Sequence, residues 1–508
     1  MHSNERPRHR PHGAARSRRW AVLAVMCASL FLVGIDLTVL HVALPSMVRQ
    51  LRPGAAAVLW IVDAYSLTVA ALLVTCGTLG DRIGRRRMVL AGYAVFGTAS
   101  AGAAMSVTTA QLIGARMLLG AGAAMIMAST VAIIRMVFPD ARERAIALGT
   151  WTAAHSVGAT LGPVLGGMLV ERWGWGSVFL VNVPVVAVVL AVGGWLIPES
   201  TVSAFRRWSP SDAALSVAAL GLTVYGVKHV GDGLSAGSAI AASAGVAFLV
   251  MFVLRQRRAS SPLLDLSLFA DRRFAAATVC VLACFGCYTA LLFFLTQWFQ
   301  LVDGLSPLRA GLTLTPLAAA TAVGAGAAPW PAARWGRRPT VVAALTAFAA
   351  ALAVLPMVLT GPAVPAVLPA VLPAVLIIAG AAAGMVMTLG ADLVMSAASE
   401  ERAGEAAALQ ETSFELGAGL GVAVLGTVLS VVYRAALPGL PSPARESLGS
   451  AVELAASLDP ASAGGLLRAA REAFGSGMGV ALALAAGLLS LTAVMAAVVL
   501  REPSGTSR

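Results

Sequence analysis

Lysine is almost missing from this chain: Lys228 is the only one in 508 residues. Charged residues of all kinds make up 12%, where a soluble protein carries about a quarter. Because Val227 precedes Lys228, no Walker GK[ST] loop exists, which excludes ATP hydrolysis within the chain. HExxH and GxSxG are also absent, and an enzyme is not expected. Cysteine is sparse: Cys27, Cys76, Cys280, Cys284 and Cys287 all fall in apolar runs. Cys280, Cys284 and Cys287 share one helical face, but the His or carboxylate that a soft-metal site needs is not beside them. The stripe reads as packing, with no disulfide, metal or cofactor expected.

Apolar length is what the chain has in excess. Of its residues 58% are hydrophobic, the mean hydropathy is +0.83, and apolar runs recur from end to end. Runs of roughly 20 residues cross a bilayer as helices, so the fold class is an all-α polytopic membrane protein. Fourteen spans fall near 20–43, 58–80, 88–106, 111–134, 145–169, 177–197, 212–230, 238–254, 274–298, 308–330, 340–360, 369–395, 409–432 and 477–500. With both termini in the cytoplasm, 26 of the 36 Lys and Arg lie on the cytoplasmic side, as the positive-inside rule asks. The net charge of +12 is then a matter of topology and implies no nucleic-acid partner. The run beginning at Trp20 is too long for a cleaved signal peptide, and no small-residue cleavage site follows it.

Two basic turns mark a repeat. Gly77 to Arg87 reads GTLGDRIGRRR, and Ala333 to Pro339 reads ARWGRRP. Arg334, Gly336, Arg337 and Arg338 match Arg82, Gly84, Arg85 and Arg86. The copies stand eight spans apart, so two extra helices interrupt a six-helix repeat. The organisation expected is a basic tail over 1–19, a six-helix bundle over 20–197, a linker with two helices over 198–273, and a second bundle over 274–500, followed by a tail over 501–508. The second bundle includes an outward loop, 433–476, with an amphipathic stretch around 444–457. Apart from Lys228 and His229 the inserted pair is bland and reads as core filler. Gly84 permits a sharp turn. Asp81 is placed to cap a neighbouring helix N-terminus, and Arg82 and Arg85 to pair with acids or lipid phosphates.

Ionisable groups within spans are costly and mark function by default. Asp36 lies in the first span, Asp63 in the second and Arg116 in the fourth. Glu411 and Glu415 lie one turn apart on the thirteenth, on one face. Arg116 could instead pair with a carboxylate to hold helices together, and Asp63 could sit in interfacial water. The fifth span carries Gly158, Gly162, Pro163, Gly166 and Gly167. Glycines at that spacing make a smooth face for close helix packing, and Pro163 leaves the Ala159 carbonyl without its helical donor. His155, one turn earlier, reads as a packed core histidine.

Together these segments resemble the fourteen-span drug–proton antiporters of the major facilitator superfamily. GTLGDRIGRRR is similar to the loop signature between spans two and three, LIGARMLLGAGAA to the span-four signature, and GATLGPVLGG to the span-five signature of antiporters. DLTVLHVALP, FLVNVP at 179–184 and SPLRAGL at 306–312 resemble that branch as well, with His41 where Asn is usual. The resemblance implies two six-helix bundles plus two linker helices, a cell-membrane location, and proton-coupled export of lipophilic drugs, antiseptics or antibiotics by a monomer with only lipid around it. It implies proton or cation coupling at Asp36, Asp63, Glu411 and Glu415. Thr321 stands where some relatives carry an acid associated with divalent cations, which points to monovalent or neutral cargo. A transporter of one metabolite or self-made antibiotic is the alternative, with a nutrient symporter disfavoured by the span-five glycines.

Overall fold

The computed structural model describes residues 12–199, 209–229, 236–259, 266–360, 364–396 and 403–500. Most of the 1–19 tail, residues 200–208 of the linker and the 501–508 tail lie outside the described residues. Within them the fold is all helical. The first group is α1 (His12–Leu51), α2 (Ala55–Ile83), α3 (Arg85–Ala104), α4 (Thr109–Val137) and α5 (Ala141–Trp173). It ends with α6 (Ser177–Leu180) and α7 (Asn182–Leu196). The inserted pair follows as α8 (Pro210–His229) and α9 (Ala236–Arg258). Next come α10 (Arg272–Gln297), which runs into a π-helical turn over Trp298–Val302, and then α11 (Pro307–Thr313), α12 (Thr315–Ala327) and α13 (Pro329–Trp335). The last are α14 (Arg337–Thr360), α15 (Val364–Ser396), α16 (Ala403–Ala435), α17 (Ser442–Glu446), α18 (Leu448–Ala455) and α19 (Pro460–Val499).

Among the described residues 13 stretches are long and apolar enough to cross a membrane. The third expected span, α3, falls short in apolarity because it opens on three arginines and carries Gly92, Gly97 and Gly102. Its 20 residues still reach about 30 Å, the thickness of a hydrocarbon core. The count agrees with a fourteen-helix transporter.

Each basic turn pivots on one glycine. Gly84 has φ 102° and Gly336 has φ 94°, a region that side chains with a Cβ rarely enter. The expected capping role of Asp81 is corrected here. Asp81 closes α2 rather than capping the next helix, and it forms an ion pair with Arg85. Arg85 Nη1 also donates to the Ala128 carbonyl of α4 at 3.0 Å, and Arg86 donates to the Gly194 carbonyl of α7. The turn therefore ties α2, α4 and α7 at one end. Arg82 is exposed, and Gly77 faces open space.

The glycine face of α5 lies against α1. A Cβ at Gly158 would overlap the Phe31 carbonyl, one at Gly162 would overlap Thr38, and one at Gly166 would overlap Val39. Thr38 Oγ1 lies 3.0 Å from the Ala159 carbonyl, the acceptor that Pro163 leaves vacant, and donates to it. The other side of the stripe meets α11, where Gly167 abuts Pro307 and Leu308 and Gly311 abuts the Pro163 carbonyl.

The loop over 433–476 is shorter than expected. Helix α19 begins at Pro460, where Asp459 accepts from the Ala461 and Ser462 amides, and the rest folds into α17 and α18. Tyr433 Oη donates to the Ala444 carbonyl at 2.9 Å and holds α17 on α16. Arg52 reaches Glu453 on α18 at 2.6 Å, and Gln300 Nε2 donates to the Val42 carbonyl at 2.9 Å. These contacts join the N- and C-terminal helices at the end opposite the basic turns.

Gly158→Ala forces α1 and α5 apart and is expected to cost about 1–3 kcal/mol, the usual penalty of overpacking. At Gly149, on the same helix, an added methyl group would meet no atom within 4 Å. Gly149→Ala is therefore expected to leave stability unchanged or slightly raised. Thermal unfolding of the detergent-solubilised variants checks both.

Candidate functional site

The site forms where α2 and α16 meet. Small residues bring these helices close: a Cβ at Gly419 would press on Leu67, and one at Gly426 on Leu59. On the α2 side stand Asp63, Tyr65 and Ser66; on the α16 side stand Glu411 and Glu415. Helices α1 and α4 complete it with Asp36 and Arg116, and α10 adds Phe285 and Tyr288 beside Phe414.

Asp36 and Arg116 are a closed unit. Arg116 Nη1 lies 2.6 Å from Asp36 Oδ2, and its Nε donates to the Ile61 carbonyl at 3.2 Å. The guanidinium stacks 4.6 Å from the Tyr65 ring centroid. Both charged side chains are buried, at 0% and 1% exposure. A buried charge needs such partners, because desolvation otherwise outweighs its interactions. The pairing considered for Arg116 is what the structure contains, and it leaves one Asp36 oxygen, Oδ1, with no hydrogen-bond partner.

Asp63 is buried as well, so the interfacial-water reading of this residue is corrected. Its Oδ2 lies 2.9 Å from Nζ of Lys228 on the inserted helix α8. The core-filler reading of the inserted pair is corrected with it. Val224 of α8 packs with Leu67 of α2 and Ala423 of α16, and Ser216 Oγ donates to the Ala71 carbonyl at 3.1 Å. The signal available in the sequence was the lone lysine of the chain placed in an apolar run.

The glutamates differ from both aspartates. Glu415 is 3% exposed; it faces Ser66 across the seam, and its Oε2 has no partner. Glu411 is half-buried one turn away. Arg116, Asp36 and Glu411 are the charged neighbours of Glu415. His41, also buried, has an unpartnered Nδ1 and sits edge-on to Phe293. Thr321 Oγ1 lies 2.8 Å from the Leu317 carbonyl and 3.4 Å from the Tyr288 hydroxyl, so no charge enters from α12 there.

The sequence profile of the Major Facilitator Superfamily matches residues 26–422. The chain belongs to that superfamily. Superfamily relatives align over nearly the whole length. The multidrug efflux pump LfrA of Mycolicibacterium smegmatis is 37% identical, with 96% of this chain and 97% of LfrA covered. The methyl viologen resistance protein SmvA of Salmonella typhimurium is 35% identical, with 94% and 97% covered. The tetracenomycin C resistance and export protein of Streptomyces glaucescens is 29% identical, with 98% and 95% covered. Among solved superfamily-like folds, a bacterial homologue of the human lysosomal transporter Spinster superposes with TM-score 0.65 at 16% identity, covering 96% of this chain and 99% of its own.

Within the superfamily fold, the four expected coupling acids Asp36, Asp63, Glu411 and Glu415 converge on one region together with Arg116. The turn residues Asp81 and Arg85 and the α5 glycines stand apart from it, at a helix end and at the α1–α5–α11 interface respectively. Removing either member of the Asp36–Arg116 pair strands a buried charge, and Asp36→Asn or Arg116→Gln is expected to cost about 3–5 kcal/mol. The double variant should lose much less than the sum of the two. A double-mutant cycle on unfolding of purified protein measures this.

Proposed function

We propose that the chain is a proton-coupled exporter of lipophilic drugs, cationic or neutral, with the Glu411/Glu415 pair as the exchanging acids. One observation carries this reading: Glu415 is a carboxylate buried on the seam between N- and C-terminal helices, one of its oxygens has no partner, and a second acid lies one turn away. Asp36 and Asp63 already hold cations of the protein itself. Two like charges in a low-dielectric site cannot both stay ionised cheaply. A proton or a cargo cation relieves the same repulsion, so each displaces the other.

The full-length likeness to LfrA and SmvA supports drug export, and it is the basis for assigning cargo of that kind here. The exporter's two six-helix units, 20–197 and 274–500, rock about the seam and expose the acids to one side at a time, as in transporters built from structural repeats. In this reading both termini and both basic turns face the cytoplasm, and the Asp81–Arg85 turn latches the cytoplasmic end. One proton entering down 100 mV supplies about 2.3 kcal/mol, and one pH unit adds about 1.4 kcal/mol. Together they sustain a gradient of several hundredfold for a neutral molecule exchanged one for one. The likeness to the tetracenomycin C exporter favours a second reading, export of one specific antibiotic. Cargo breadth in a sensitivity panel separates the two.

Dye efflux by inverted vesicles under an imposed pH gradient tests the reading. Glu415→Gln is expected to abolish the pH-driven component, and Glu411→Gln to reduce it at least tenfold, with protein levels unchanged. Full pH-driven transport by the Glu411→Gln/Glu415→Gln double variant would refute the assignment.

A further inference from the structure

The ion pair on the inserted helix has the composition of a cation-binding site. Lys228 Nζ lies 2.9 Å from Asp63 Oδ2 and 4.0 Å from the centroid of the Trp60 indole. Both ionised side chains are buried, at 0% and 1% exposure. An indole face attracts a cation through its quadrupole, most strongly where water is excluded, and the carboxylate supplies the counter-charge. The same two groups would hold an organic ammonium or phosphonium ion. Here the ion they hold is part of the chain.

A pocket lies next to this position and shares its indole. Trp60 also lines a cavity of about 630 Å³ between α2, α4, α8, α16 and α17, whose wall includes Ile113, Tyr225, Arg445 and Glu446. That volume falls within the range of small-molecule pockets. A molecule in this cavity meets the indole that Lys228 covers, so the two converge on one ring.

The choice of residue fits an occupant that leaves. Every other basic residue among the 36 is arginine. An arginine is always charged and forms a rigid bidentate fork, whereas a lysine is a point charge on a flexible stem that gives up its proton more readily when buried. The chain's single lysine stands at a buried position beside a carboxylate and an indole.

We propose that Trp60 and Asp63 form a subsite for lipophilic organic cations and that Lys228 is a tethered competitor for it. Resting on the export reading above, this makes Lys228 a determinant of cargo affinity. Cargo enters as the lysine withdraws, and the returning ammonium displaces cargo toward the cavity. The inserted helix thus weakens binding at a place where an exporter must let go.

Binding of tetraphenylphosphonium to purified protein, measured by titration calorimetry, tests the proposal. Lys228→Met is expected to bind at least tenfold more tightly than the wild type; equal or weaker binding overturns the competitor role. Should Lys228→Met not fold, because Asp63 is left unpaired, the comparison moves to Asp63→Asn against Asp63→Asn/Lys228→Met. There the double variant is expected to bind more tightly than the single, since an unpaired ammonium no longer repels the probe, and equal affinity overturns the proposal. Transport of the same probe by the wild type separates the two readings. A wild type that neither binds nor moves it counts against lipophilic-cation export itself. A wild type that moves it, with affinity indifferent to Lys228, removes the competitor alone.

Discussion

A charge inside a hydrocarbon layer must be matched by an opposite charge or by dipoles, because water is not there to do it. That constraint organises the centre of this transporter. Arg116 of α4 is matched by Asp36 of α1, by the Ile61 carbonyl of α2 and by the Tyr65 ring, so one guanidinium joins three helices. Lys228 of α8 is matched by Asp63 and Trp60 of α2. Helix α2 thereby receives a charged contact from each side, and its remaining polar residue at this level, Ser66, turns to Glu415 of α16. The helix common to all three interactions is also the one whose end carries the basic turn with Asp81. The site and the turn are therefore joined by one continuous helix.

Matching also sorts the acids. A carboxylate already satisfied by a guanidinium has little to gain from a proton, since protonation would strand the arginine. A carboxylate in no ion pair, with a like-charged neighbour one turn away, gains from either a proton or a cation. By this argument Asp36 holds the site together, and the proposed exchange is assigned to Glu411 and Glu415 rather than to it. The two kinds of acid are indistinguishable in a hydropathy profile, where each is one polar residue in an apolar run.

That difference shows what was legible in the sequence and why the rest was not. Span positions, the glycine turns at Gly84 and Gly336 and the close packing of the α5 stripe follow from local chemistry: apolar length, a positive φ, the absence of a Cβ. Each is carried by residues within one or two turns of each other. The partner of a buried charge is not local. Asp36 and Arg116 are separated by 80 positions, and Lys228 and Asp63 by still more, so pairing had to wait for the packing of helices. The start of α19 was missed for a related reason: Pro460–Gly475 is polar enough to read as loop, yet Asp459 caps it and Leu466, Ala470, Ala473 and Phe474 bury an apolar face. The Asp81 cap was likewise a local guess defeated by a nearer partner, Arg85.

The inserted helices now have a physical reason to be where they are. Helix α9 packs on α8 through close glycine contacts, with Gly226 against Ala242 and Gly245 against Thr223, and Arg255 pairs with Asp212 at 2.8 Å. The pair is thus a unit of its own. Among the described residues its main contacts with the rest of the chain are those of α8 with α2 and α16. Val224 packs on both Leu67 of α2 and Ala423 of α16, so α8 rests on the two helices where they meet. A helix pair appended to a twelve-helix transporter for bulk alone would need neither a contact at the α2–α16 seam nor a charge buried beside it.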